Sequence, residues 1–194
     1  MNEPGLTTPD AKPLQAAHLA IVESLAFSPN NKLLASGSFQ EVVLWDVASG
    51  GLWKRLTGFA DRVVTLAFSA DGKLLVSGGA DNVLKAWDYE KGEQVRTFGN
   101  QGKQITRLMF KGATSEVVTC SGDAVVRFWN VDNGGGGLTF GGNTDFLYAV
   151  SVSADGKIVA AGGEEGIVRL YNGTNGQLVK ALLPPGAAAP DPKK

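Results

Sequence analysis

Leu66–Gly92 reads LAFSADGKLLVSGGADNVLKAWDYEKG. With the residues on either side it spells four strands separated by turns. Val63–Phe68 is apolar nearly throughout, as a strand buried on both faces must be. Ala70-Asp71-Gly72 is a tight hairpin turn, and Lys73–Ser77 is the second strand. Gly78–Asn82 turns the chain into Val83–Trp87, and Glu90-Lys91-Gly92 turns it again into the more polar strand Glu93–Phe98. One strand plus turn per ~10 residues is the cadence of an all-β sandwich, barrel or propeller. No stretch sustains a helical period.

The same unit recurs along the chain. Trp45-Asp46, Trp87-Asp88, Trp129-Asn130 and Tyr171-Asn172 are spaced 42 residues apart. Leu25-Ala-Phe27, Leu66-Ala-Phe68, Leu108-Met-Phe110 and Val150-Ser-Val152 recur upstream at 41, 42 and 42. SPNNKLLASG (Ser28–Gly37), SADGKLLVSG (Ser69–Gly78) and SADGKIVAAG (Ser153–Gly162) sit between these anchors. A period of this length signals stacked supersecondary units. Unit boundaries are expected near Ala17, Gly58, Asn100 and Gly142. Each unit's most apolar run, Val22–Phe27, Val63–Phe68, Ile105–Phe110 or Leu147–Val152, should be its innermost strand. Residues 17–183 then form the domain. The Pro-containing residues 1–16 and the Pro/Ala-rich residues 184–194 read as tails, the first without the basic start and apolar stretch of a signal peptide.

Composition narrows the function. Of 194 residues 43% are apolar, enough for a packed core, and 26 are glycines, which punctuate the many turns. Eighteen basic and 19 acidic residues leave a net charge of −1, which argues against nucleic acid as a partner. No apolar run approaches the ~20 residues of a membrane helix. One cysteine and one histidine exclude an internal disulfide and a His-pair metal site.

A 40–45-residue unit of four strands closing on Trp-Asp is the WD40 signature. LAFSPNNKLLASGSFQEVVLWDVASG (Leu25–Gly50) and Leu66–Gly92 resemble WD40 repeats, and the resemblance runs from about Ala17 to Leu183. It implies a β-propeller: four four-stranded antiparallel blades, as half of an eight-bladed ring or an open arc. It also implies that Trp45, Trp87, Trp129 and Tyr171 are core residues between blades. The family's structural tetrad joins a His, a strand Ser or Thr, a turn Asp and the Trp. Unit one offers His18, Ser36 and Trp45 but Phe39 in the Asp place. Unit two has Phe59 for His beside Ser77, Asp81 and Trp87. Unit three has Gln101 for His beside Thr119, Asp123 and Trp129. Unit four keeps only Glu165 near the Asp place. With no tetrad complete, apolar packing is expected to hold the blades together in its stead.

The residues offer little for catalysis. His18 lies on the repeat's own His position, and Cys120 has no basic neighbour in sequence, so both read as structural. Asp71, Asp81, Asp123, Asp155 and Glu165 occupy turns, where local side-chain hydrogen bonds account for them. The run Gly134–Gly137 is no phosphate loop, and Asn172-Gly173-Thr174 sits in a turn. The reading is therefore a non-catalytic scaffold without cofactor or metal, binding a protein or peptide through the propeller face. The alternatives are a structural half-propeller fragment of a larger protein and an accessory domain of an enzyme. By the resemblance, the binding face is made by the residues opening each first strand, Ile21, Arg62, Gln104 and Phe146. The turn residues Phe39, Ala80, Gly122 and Glu164 join them. Four blades leave two apolar faces uncovered, which predicts a homodimer closing an eight-bladed ring. A cytoplasmic location is expected.

Overall fold

The computed structural model describes residues 18–186. The expected tail at residues 1–16, and residues 187–194 of the one expected at 184–194, lie outside the described residues. Every regular element among those described is a strand, and each pairs antiparallel with its neighbour in sequence inside its sheet. Blade one is β1 (Ser24–Phe27), β2 (Leu33–Gly37), β3 (Phe39–Asp46) and the first half of β4 (Leu52–Phe68). Blade two is the rest of β4 with β5 (Leu75–Gly79), β6 (Leu84–Asp88) and β7 (Glu93–Phe98). Blade three is β8 (Ile105–Phe110), β9 (Glu116–Ser121), β10 (Val126–Asn130) and β11 (Gly136–Phe140). Blade four is β12 (Leu147–Val152), β13 (Ile158–Gly163), β14 (Val168–Asn172) and β15 (Leu178–Leu182). The expected strands Ile105–Phe110, Leu147–Val152 and Glu93–Phe98 are found residue for residue, Val63–Phe68 is the end of the longer β4, and Val22–Phe27, Lys73–Ser77 and Val83–Trp87 are met within two residues.

Blades one and two are joined more tightly than the repeat alone suggests. β4 runs through the expected boundary at Gly58, so seven strands form one hydrogen-bonded sheet. The connection between β2 and β3 is Ser38 alone, where each counterpart has four residues. β3 therefore starts at Phe39, which pairs with Arg62 on β4, and Gln40 Nε2 donates to the Ala60 carbonyl at 3.1 Å.

The core consists of three apolar seams, each between successive blades. Ala35, Val42, Leu44 and Leu56 of blade one pack on Val63, Leu66, Phe68, Leu75 and Trp87 of blade two. Val76, Leu84, Ala86 and Phe98 of blade two meet Ile105, Leu108 and Val117 of blade three. Val118, Cys120, Val126, Phe128 and Phe140 of blade three meet Leu147, Val150, Val159 and Tyr171 of blade four. Each blade thus has a leading face, turned toward the blade before it, and a trailing face, turned toward the blade after it. The outer strands β7 and β15 are the most exposed, with only Phe98 buried in the two of them.

The turns repeat as faithfully as the strands. Gly50, Gly92, Gly134 and Gly176, 42 residues apart, all take a left-handed conformation (φ 65, 81, 75 and 78°) between the third and fourth strands. That conformation clashes with any Cβ, which accounts for glycine at all four positions. Asn82, Ala124 and Gly166, in the turn before the third strand, and Gln40, at the irregularity that opens β3, share the same region (φ 61–68°), and Ala124 carries strain there.

Candidate interaction face and the networks beneath it

Apolar seams join the blades, and polar networks stand beside them in the tetrad places, where the sequence led us to expect apolar packing in their stead. In blade one the network closes with a different acid. His18 Nε2 lies 2.7 Å from Ser36 Oγ, which also accepts from Trp45 Nε1 at 2.8 Å. The other ring nitrogen, Nδ1, is 2.7 Å from Glu41 Oε1. The acid therefore comes from strand β3 rather than from the shortened turn, and Phe39 does not occupy its place. Arg55 Nη1 donates to the second Glu41 oxygen at 2.7 Å.

Blades without the histidine use a cation. In blade three Gln101 Nε2 and Trp129 Nε1 both donate to Thr119 Oγ1, at 2.8 and 3.1 Å. Arg127 Nη1 then links Gln101 Oε1 at 3.2 Å to Asp123 at 2.8 Å. Blade four builds the same chain from other residues. Arg169 donates to Asn143 Oδ1 at 3.1 Å and to Glu165 at 2.6 Å, and Asn143 Oδ1 lies 3.2 Å from the Tyr171 hydroxyl. Burial raises the Glu165 pKa, but hydrogen bonds from Thr144 and Arg169 outweigh it and leave the carboxyl below its ordinary value. In blade two Phe59 stacks on Trp87 with centroids 4.9 Å apart, and Lys85 lies over Phe59 at 5.2 Å. Lys85 Nζ also donates to the Gly58 carbonyl at 2.7 Å and pairs with Asp81 at 3.6 Å. Lys85, Arg127 and Arg169 all stand two residues before the aromatic of the signature, where blade one has Val43. A buried acid needs a partner. His18 supplies it in blade one, and the strand cation does so elsewhere.

The four signature aromatics are not equally buried. Trp87 and Tyr171 are buried in seams, whereas Trp129 is half-buried against the seam between blades two and three. Trp45 is half-buried, because no blade covers the leading face of blade one. Cys120 is buried with a pKa pushed up to about 11 by desolvation, as an inert thiol should be.

The residues expected to form the binding face lie at equivalent places in successive blades. Ile21 and Phe39 are exposed, at 79% and 51%. Arg62 is held by its neighbours: Nη1 donates to Glu23 at 3.0 Å in blade one and Nη2 to Gln104 at 3.4 Å in blade three. Gln104 is half-buried as a result. Phe146 lies across Gly122 of blade three, where an added Cβ would fall 2.3 Å from the ring. Its other neighbour is Tyr148, 4.9 Å away, whose hydroxyl donates to Glu164 at 2.8 Å. Sequence reading missed Glu23 and Tyr148, although each stands two residues after a position it singled out, Ile21 and Phe146. Among the described residues no group of three or more His, Cys, Asp or Glu could hold a metal ion. Among the described residues no helix is long and apolar enough to cross a membrane.

The family profile described as "WD domain, G-beta repeat" matches residues 11–46, 50–88, 92–130 and 137–172. The chain belongs to the WD40 family. Each matched unit from the second onward begins with the outer strand of one blade and continues into the next, the same continuity that β4 shows physically. Among curated proteins the chain is similar to Periodic tryptophan protein 2 of Arabidopsis thaliana, 32% identical over 43% of this chain and 9% of that protein. It is also similar to Anaphase-promoting complex subunit cdh1 of Dictyostelium discoideum, 39% identical over 40% of this chain and 10% of that one. Cilia- and flagella-associated protein 52 of Chlamydomonas reinhardtii is 35% identical over 36% of this chain and 12% of its own length. The matches thus span about a tenth of these relatives. WD40 domains generally mediate protein interactions.

Proposed function

We propose that this WD40 domain is a non-catalytic scaffold that engages a protein or peptide through the row Ile21, Phe39, Arg62, Gln104, Phe146 and Glu164. The observation that carries this reading is the bridge made by Arg62, which ties Glu23 of blade one to Gln104 of blade three. It presets a half-exposed guanidinium beside the exposed Phe39. Preorganised Arg and aromatic residues are the types that dominate protein-binding energy. The domain works as a homodimer closing an eight-bladed ring, which the uncovered faces of blades one and four support. The buried Cys120 thiol suits a reducing compartment such as the cytoplasm.

A photoreactive benzoylphenylalanine in place of Phe39 tests the face, with the same probe in place of Val95 on outer strand β7 as control. Polypeptide adducts should form at position 39 and drop at least tenfold with Arg62→Ala, while the melting temperature stays put. Equal adduct yield at both positions would overturn the assignment. The small share of each relative that the chain matches favours one second reading, a structural array within a larger protein. In that case position 39 would yield adducts only to domains of the parent chain.

A further inference from the structure

The homodimer can be specified further, in a step that rests on the reading above. The leading face of blade one repeats, in Val22, Leu25 and Phe27, the apolar residues of the face that blade two buries. Val22, Leu25 and Phe27 are 43%, 63% and 60% exposed, whereas their counterparts Val63, Leu66 and Phe68 are 1%, 7% and 9% exposed. The trailing face of blade four repeats the other side. Val168 and Leu182 are 42% and 44% exposed, while Leu84 and Phe98, two repeats earlier, lie buried in a seam.

Two details show that these faces are built for each other. The first is a glycine. A Cβ on Gly37 would lie 2.9 Å from Val63 Cγ1, and one on Gly78 would lie 2.9 Å from Ile105 Cγ2. In these two seams glycine lets the next blade's first strand approach, and in the third Cys120 stands at the position. Blade four keeps Gly162 there, yet a Cβ on it would meet nothing in its own chain closer than 3.6 Å. The second is a clasp. From blade one Lys54 Nζ donates to the Glu90 carbonyl of blade two, and from blade two Arg96 Nη2 donates to the Asp132 carbonyl of blade three at 2.8 Å. A Cβ added to the turn glycines Gly92 and Gly134 would meet their aliphatic carbons at 3.2 and 3.0 Å, whereas blade three has Leu138 at the equivalent place. The equivalent lysine of blade four, Lys180, is exposed, and the equivalent glycine of blade one, Gly50, has nothing within 4 Å.

We propose that the trailing face of blade four docks on the leading face of blade one of a second copy, in the register of the internal seams. Gly162 then sits over Val22, and Lys180 reaches the Ala48 carbonyl in the turn that ends at Gly50. A two-fold axis makes both seams at once and leaves no face open.

The test is the double variant Val22→Cys/Gly162→Cys in the full chain, oxidised and run without reductant, with light scattering alongside. Cys120 already occupies the Gly162 position in blade three, so the site tolerates the thiol. Disulfide-linked dimers, reverting to monomer with reductant and absent in either single variant, are expected. Lys180→Glu should raise the dimer dissociation constant at least tenfold without lowering the melting temperature. A species of twice the 20.3 kDa chain mass without the crosslink would overturn the register and leave the homodimer. A monomer without crosslink would overturn both, and the faces would belong to other blades. A crosslink within one chain would mean the arc closes on itself, and a ladder of multimers would mean an open polymer. Either also overturns the proposal.

Discussion

Glu41 Oε1 lies 2.7 Å from Nδ1 of His18, which is nearly buried, and so completes from a strand the network whose turn acid blade one lacks. Removing one member leaves its neighbour in the network short of one hydrogen bond, at about 1–3 kcal/mol for a buried polar group. Glu41→Ala and Ser36→Ala should each lower stability by about that amount in urea denaturation. The double variant should lose clearly less than the sum, because both break one network. Strict additivity would show that the network does not act as a unit.

The signature tryptophans should differ in cost. Truncating a buried Trp costs about 3–5 kcal/mol. Trp87→Ala removes a side chain that is 3% exposed and stacked on Phe59, so it should fall in that range. Trp45→Ala should cost visibly less in the monomer, because the face around Trp45 is uncovered. An equal shift of the denaturation midpoint in both variants would contradict this.

Ala124 holds a left-handed conformation, φ 65°, at the place where blade four has Gly166. A Cβ there costs about 1–2 kcal/mol, partly offset by the freer unfolded chain of glycine. Ala124→Gly should therefore stabilise the domain by up to about 1 kcal/mol. The same change at Ala86, buried in strand β6, should destabilise it. Thermal melts of the two variants check the contrast.

Cys120 and Glu165 give pH dependence of opposite sense. The Cys120 thiol titrates at about 11 when folded, raised from 9.0 by burial. Unfolded chains lose that proton first, so the contribution is complete below pH 9 and lost as pH rises toward 11. Cys120→Ala should flatten the alkaline limb of the stability profile. Glu165 is held below its ordinary 4.5 once folded. Its contribution is present above that value and lost as pH falls through the lower folded pKa, so Glu165→Gln should flatten the acid limb. At neutral pH Glu165→Gln should also destabilise, because Arg169, only 7% exposed, loses its counter-charge. Unchanged limbs in both variants would refute the assignments.

The period of 42 was legible in the sequence because a strand's alternation, a left-handed glycine and a signature aromatic are local demands. They repeat wherever the backbone repeats. From them the sequence alone determined the four blades, the turn at Gly92 and the buried character of Val63–Phe68, and the structure added the matching turns at Gly50, Gly134 and Gly176. The acid of blade one was not legible, because Glu41 reaches His18 across 23 residues of chain and no spacing rule marks it. The roles of Lys85, Arg127 and Arg169 were hidden for the same reason: a charge two residues before the signature reads as a solvated strand face until packing buries it. Arg62 looked like a donor awaiting a partner, and only the approach of three blades showed Glu23 and Gln104 already holding it. Local sequence dictates strands and turns, since backbone sterics act over a few residues. Which polar groups meet is decided where separate blades close on each other, since hydrogen bonds and ion pairs depend on distances that only tertiary packing sets.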